Sequence, residues 1–175
     1  MIRKIVLGGV VLTITVAVAV YVWLGGFRGE QIERVSHGAR IVTGTSYQGA
    51  YGDLELRKIF VTTQRYLEEN PGLGNLVVVN YDSLAVTKEV NQLIGVLKER
   101  TSGTFPFGQT VDTLPKGDYL RVRLYGHPVV RPTPTQVNEK VRSYAADYQL
   151  DLFPLVIEHY FSTDSMWVEF PIEID

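Results

Sequence analysis

One carboxylate stands in an otherwise apolar stretch, Leu155-Val156-Ile157-Glu158-His159-Tyr160. Strand alternation puts Val156, Glu158 and Tyr160 on one face and Leu155, Ile157 and His159 on the other. One face then carries a carboxylate beside a phenol. Surrounded by aromatic rings, such a group attracts an organic cation through Coulomb attraction in a poorly hydrated pocket and through cation–π contact. With a pKa raised by burial it could instead serve as a general acid or base. Rings are supplied at strand ends or along strands by Tyr47, Tyr51, Tyr81, Tyr125, Phe153, Trp167 and Phe170. The opposing reading is a solvated Glu158 on an outward sheet face, with the tyrosines as ordinary core. Glu169, in Trp167-Val168-Glu169-Phe170, has the same two readings and ranks second.

Other chemistries lack support. His37, His127 and His159 are far apart in sequence, without the close spacing of zinc ligands, and no metal or cofactor is expected. There is no cysteine, which removes disulfides, thiolate metal sites and a thiol nucleophile. Neither a G-x-S-x-G elbow nor a phosphate-binding G-x-x-x-x-G-K-[ST] loop occurs. Seventeen basic and nineteen acidic residues leave a net charge of −2 without blocks of either sign, so no nucleic-acid partner is expected.

The elements that must position these residues follow from periodicity. Residues 40–47 read as a strand and residues 52–70 as a helix, with Asp53 available as cap and Asn70-Pro71-Gly72 as stop. Residues 76–81 form a short apolar strand and residues 93–98 another; residues 101–116 are loop-like. Residues 119–125 alternate as a strand with one wet face, Pro132-Thr133-Pro134-Thr135 starts a second helix over residues 136–148, and residues 155–160 and 166–174 close as strands. Arg65-Tyr66 with Val77-Val78-Val79-Asn80-Tyr81 echoes Arg142-Ser143-Tyr144 with Leu155-Val156-Ile157-Glu158-His159-Tyr160. Two strand-helix-strand-strand repeats are thus expected to form one antiparallel α+β sheet with both helices on one face, leaving a concave opposite face.

Residues 5–24 (IVLGGVVLTITVAVAVYVWL) contain no charged side chain and are bracketed by Arg3-Lys4 and Arg28. Twenty apolar residues match the ~30 Å hydrocarbon core of a bilayer, so a single-pass transmembrane helix is expected, with the membrane as a partner. A cleaved secretory signal with Ala17-Val18-Ala19 as its small-x-small site is the competing reading; Tyr21 and Trp23 favour an intact span. The basic tail leans the N-terminus to the cytoplasm and leaves the side of the domain open. Residues 25–39 read as a tether and residues 40–175 as one domain.

Several of these segments together resemble a known family. Tyr47-Gln48-Gly49-Ala50-Tyr51-Gly52, the helix after it, Val77-Val78-Val79-Asn80-Tyr81-Asp82, Ile94-Gly95-Val96, Phe153-Pro154-Leu155-Val156-Ile157-Glu158-His159-Tyr160 and Pro171-Ile172 resemble the GyrI-like, or bacterial effector-binding, domains over residues 40–174. One span followed by this domain is similar to the testis-expressed reticulophagy-receptor branch. The resemblance implies two pseudo-symmetric units and a small-molecule pocket between them, taking hydrophobic and often cationic ligands. It carries the ligand contacts onto Glu158 and Tyr160, and more loosely onto Tyr47, Tyr51, Tyr81 and Trp167. Two alternatives stay open: a protein-binding adaptor at a membrane, and a hydrolase of small electrophiles using Glu158 as base.

Overall fold

The computed structural model describes residues 2–26, 30–81, 89–98, 110–162 and 164–173, with backbone only for residues 2–8 and 98. The chain runs α1 (Ile2–Trp23), β1 (Gln31–His37), β2 (Arg40–Ala50), α2 (Leu54–Glu69), a 3₁₀ turn (Pro71–Leu73), β3 (Leu76–Tyr81), β4 (Glu89–Lys98), β5 (Thr110–Leu114), β6 (Gly117–Tyr125), α3 (Pro134–Asp147), β7 (Leu155–Ser162) and β8 (Ser165–Pro171). All eight strands join one antiparallel sheet in the order β1-β6-β8-β7-β3-β4-β2-β5.

Chain connectivity forces this sheet to curl. Only Gly38 and Ala39 separate β1 from β2, and only Pro115 and Lys116 separate β5 from β6, yet each pair lies six steps apart in the sheet order. Laid flat, six steps at ~4.8 Å would span about 29 Å. Two linking residues reach only about 10 Å. The sheet therefore closes on itself as a half-barrel, and residues from both of its ends meet inside: Val42, Val77, Val79, Leu93, Leu114, Tyr119, Leu155 and Ile157 form one fully buried cluster.

Both helices of the domain lie on the outer face. Asp53 caps α2 by accepting the Glu55 N–H at 3.1 Å, and Ile59, Phe60 and Leu67 pack on Val78, Ile94 and Val96. Thr133 and Gln136 close a capping box on α3, whose Val137, Val141 and Ala145 pack on Leu120, Val156, Val168 and Phe170. The middle of the sheet is the β7–β3 pairing, and β7-β8-β6 on one side mirrors β3-β4-β2 on the other. Gly44 and Gly95 face each other across β2 and β4; a Cβ on Gly95 would lie 2.1 Å from the Thr43 carbonyl oxygen.

These observations correct the expected architecture. The sheet is an eight-stranded half-barrel with three helices, not a sheet of two four-element units alone behind a spanning helix: β1 and β5 are added at its edges to β2-α2-β3-β4 and β6-α3-β7-β8. Two strands were illegible by composition: β1 (QIERVSH) lies in the stretch read as tether, and β5 (TVDTL) in the stretch read as loop. The face opposite the helices is not an open concavity, because the curl fills it with its own core. The transmembrane expectation is corrected too: among the described residues no helix is long and apolar enough to cross a membrane. The membrane partner and single-pass localisation expected from it fall with that span. The end of α1 is instead tied to the domain, the Leu24 carbonyl accepting the His127 N–H at 3.0 Å.

Candidate functional site

Register decides which side chains meet Glu158. Val78 pairs with Glu158 and Asn80 with Val156, so Asn80 and Glu158 are diagonal neighbours on the helix-bearing face. Asn80 Nδ2 donates to Glu158 Oε1 at 3.0 Å, and the Tyr160 hydroxyl donates to Oε2. Gln92, paired with Asn80 across β4, donates from Nε2 to Asn80 Oδ1. A polar row thus crosses three adjacent strands between the α2 cluster and the α3 cluster. Phe60 of α2 covers Tyr160 edge-on, with ring centroids 5.3 Å apart at 81°.

The row leaves Glu158 with hydrogen bonds but no counter-charge. Among the described residues no lysine, arginine or histidine forms an ion pair with it. Burial pushes its carboxyl above the ordinary value, while the Tyr160 and Asn80 hydrogen bonds pull it partway back. The Tyr160 phenol is pushed up as well, by burial first and then by the Glu158 charge. Coulombic influence of Tyr51 and Arg131 on that phenol puts both in its surroundings, and Tyr51 is 74% exposed. A half-buried anion flanked by rings, without a cation, is electrostatically incomplete.

The other residues singled out from the sequence separate. Tyr47 shares the helix-bearing face but is tied to the α2 cap, its hydroxyl donating to Asp53 Oδ2 at 3.1 Å and to the Ala50 carbonyl at 3.3 Å. Tyr81 and Trp167 lie on the opposite face. The Tyr81 hydroxyl donates to Asp112, and its ring packs on the interior cluster. The Trp167 indole is stacked by Arg121 at 4.2 Å and Arg123 at 5.4 Å, with Phe161 at 4.4 Å. Asn80 and Gln92 were missed; their signal was a polar pair at facing positions of two apolar strands, visible only once the register is known.

The second-rank carboxylate, Glu169, has no exposed surface and gathers basic side chains from four other strands. Arg40 Nη2 on β2 lies 2.8 Å from Oε2, and the Arg121 guanidinium on β6 lies 2.8 Å from Oε1. His37 Nε2 on β1 and His159 Nε2 on β7 each approach it at 3.1 Å. Burial alone would raise this carboxyl; His159 and Arg40 outweigh it and hold the group well below the usual carboxylate range. Two histidines distant in sequence therefore share one carboxylate. No group of metal-ligating side chains that could hold an ion occurs among the described residues.

No family model matches the sequence, and no curated protein matches it. Solved structures do resemble the fold. An integron cassette protein from the mobile metagenome of Vibrio cholerae is 14% identical with a TM-score of 0.56, over 83% of this chain and 97% of that one. SAV2435, solved bound to tetraphenylphosphonium, is 16% identical with a TM-score of 0.52, over 83% and 94%. The C-terminal domain of EcmrR is 13% identical with a TM-score of 0.54, over 84% and 98%. These likenesses are of fold, each over more than four-fifths of this chain.

Proposed function

We propose that this protein is a GyrI-like effector-binding domain that captures small amphipathic or cationic molecules on the helix-bearing face of the sheet, with Glu158 as the charged anchor. The observation that carries the reading is the Glu158 carboxylate, buried enough to raise its pKa, fixed by Asn80 and Tyr160, and lacking any ion-pair partner among the described residues. An organic cation supplies the missing charge without the hydration penalty of a small ion. Phe60, Tyr160 and the exposed Tyr51 offer ring faces for its apolar body. Asn80 and Gln92 hold the carboxylate in place, so little ordering remains to be done on binding. The fold's likeness to SAV2435, whose structure holds tetraphenylphosphonium, agrees in ligand class.

Titration calorimetry with tetraphenylphosphonium, and with tetraphenylborate as the anion of matching shape, tests this. The cation is expected to bind the natural protein and to weaken at least about tenfold, roughly 1.4 kcal/mol, in Glu158→Gln, while the borate does not bind. Equal affinity of the cation for both proteins would remove Glu158 from the function.

A further inference from the structure

The Glu169 cluster has no part in ligand capture, yet it contains a position that no single protonation state satisfies. His37 Nε2 lies 3.1 Å from Glu169 Oε1 and also 3.1 Å from Arg121 Nη2. A proton on that nitrogen suits the carboxylate and opposes the guanidinium; a lone pair does the reverse. The carboxylate already receives Arg40, Arg121 and His159. Arg121 Nη2 lies 2.8 Å from Glu169 Oε1 as well, and of its two hydrogens one can face that oxygen while His37 Nε2 is placed to accept the other.

The charges facing His37 come from every strand around it. Arg40 stands on β2, Arg121 and the Tyr119 ring (5.2 Å, edge-on) on β6, His159 on β7 and Glu169 on β8. Glu33, also on β1, pairs with Arg121 and Arg123. With both imidazoles neutral, three arginines against two glutamates already leave this group at one net positive charge. A proton on His37 adds a second. His37 is also the last residue of β1, an edge strand whose one sheet partner is β6.

We propose that His37 is a proton-operated release for β1: neutral, it accepts the Arg121 Nη2–H and completes the cluster; protonated, it is driven out, and the β1–β6 pairing opens from that end. Burial first, then the nearby Arg40 and Arg121 charges, hold its pKa below the ordinary imidazole value despite Glu169. The strand that would loosen is an edge strand held in the sheet by β6 alone, so the device would make that edge of the sheet dependent on acidity.

Amide hydrogen exchange on the full chain, corrected for intrinsic rates, at about pH 7.5 and about pH 5 provides the test. Protection of residues 32–37 is expected to fall at least about tenfold relative to residues 76–81 in acid. His37→Gln, which cannot titrate, should show no such fall, and His159→Gln should retain it. Constant protection of β1 in the natural protein, or a fall that persists in His37→Gln, overturns the proposal. So does a fall abolished only by His159→Gln. Should His37→Gln not fold, proton titration of the natural protein by NMR decides: the His37 ring and the β1 amides must share one midpoint, and separate midpoints overturn the release.

Discussion

Arg40 and Glu169 lie on strands separated by three others, yet their side chains meet at 2.8 Å. In a flat sheet that separation would be about 19 Å. Their contact is thus a chord across the half-barrel, and Tyr81 to Asp112, from β3 to β5, is a second. The interior is held by an apolar cluster and by polar chords that exist only when the sheet is curled. Glu169 is where the chords concentrate, because it faces Arg121 and His159 from neighbouring strands while Arg40 arrives from the far side.

Removing the Glu169 charge should therefore unseat two arginines at once. Glu169→Gln is expected to lose about 3–5 kcal/mol of stability, the range for a buried ion pair deprived of one partner. Urea denaturation with an unchanged slope measures it. A loss below about 1 kcal/mol would mean that the arginines find water and that the chord is incidental.

Acid should dismantle the same cluster. The folded-state pKa of Glu169 lies below its unfolded value, so the unfolded chain takes up the proton first as pH falls. Its stabilising contribution is complete above the ordinary carboxylate pKa of about 4.3 and is lost as pH drops from there toward the lower folded value. Stability measured from about pH 6 to about pH 3 should fall more steeply in the natural protein than in Glu169→Gln. Parallel curves would show that Glu169 is not the group responsible.

Glu158 should behave in the opposite sense. Its folded pKa is raised, so the folded state binds the proton more tightly, and stability drops as pH rises through the window above about 4.3. Glu158→Gln removes that loss. The stability difference between Glu158→Gln and the natural protein should grow in favour of the substitution as pH increases, by denaturation at about pH 4 and about pH 8. A difference independent of pH would show that Glu158 is as well solvated folded as unfolded.

How far the sequence exposed all this differs by element. Periodicity and caps place α2 and α3, because a buried stripe and a terminal Asp or Thr are local signals. Alternation separates Glu158 and Tyr160 from Ile157 and His159, since β7 is regular through that stretch. Alternation cannot say which strand lies alongside, and so Asn80 and Gln92 were overlooked and Tyr81 and Trp167 grouped with a face they do not share. The polar composition of β1 and β5 hid them because an edge strand needs few apolar residues. The partners of Glu169 come from four other strands, and Arg40 reaches it only through closure of the sheet, a property of topology and not of any window of residues.

The glycine pair at the β2–β4 crossing provides a purely steric prediction. A Cβ on Gly95 would meet the Thr43 carbonyl oxygen at 2.1 Å and the Gly44 Cα at 2.6 Å, both backbone atoms that cannot rotate aside. Gly95→Ala should destabilise by about 2–3 kcal/mol, as overpacking of a fixed contact does. Gly38→Ala, whose Cβ would meet nothing within 4 Å, is the matched control and should change stability by less than about 0.5 kcal/mol. Similar behaviour of the two would mean that β2 and β4 separate more easily than their pairing implies.

The division of aromatic residues between the two faces separates stability from binding. Tyr81→Phe leaves the Asp112 carboxylate without its donor on the interior side and should cost about 1–3 kcal/mol of stability. Trp167→Ala loses the stack on Arg121 and Phe161, also on that side. Neither change touches the helix-bearing face, so tetraphenylphosphonium affinity should hold within about twofold in both variants. Tyr51→Ala should do the reverse: a 74% exposed ring contributes little to folding, and its loss beside Tyr160 should weaken the cation several-fold with the denaturation midpoint unchanged. If Tyr81→Phe or Trp167→Ala weakens the cation while Tyr51→Ala does not, the ligand lies on the interior side, and Glu158 is not its anchor.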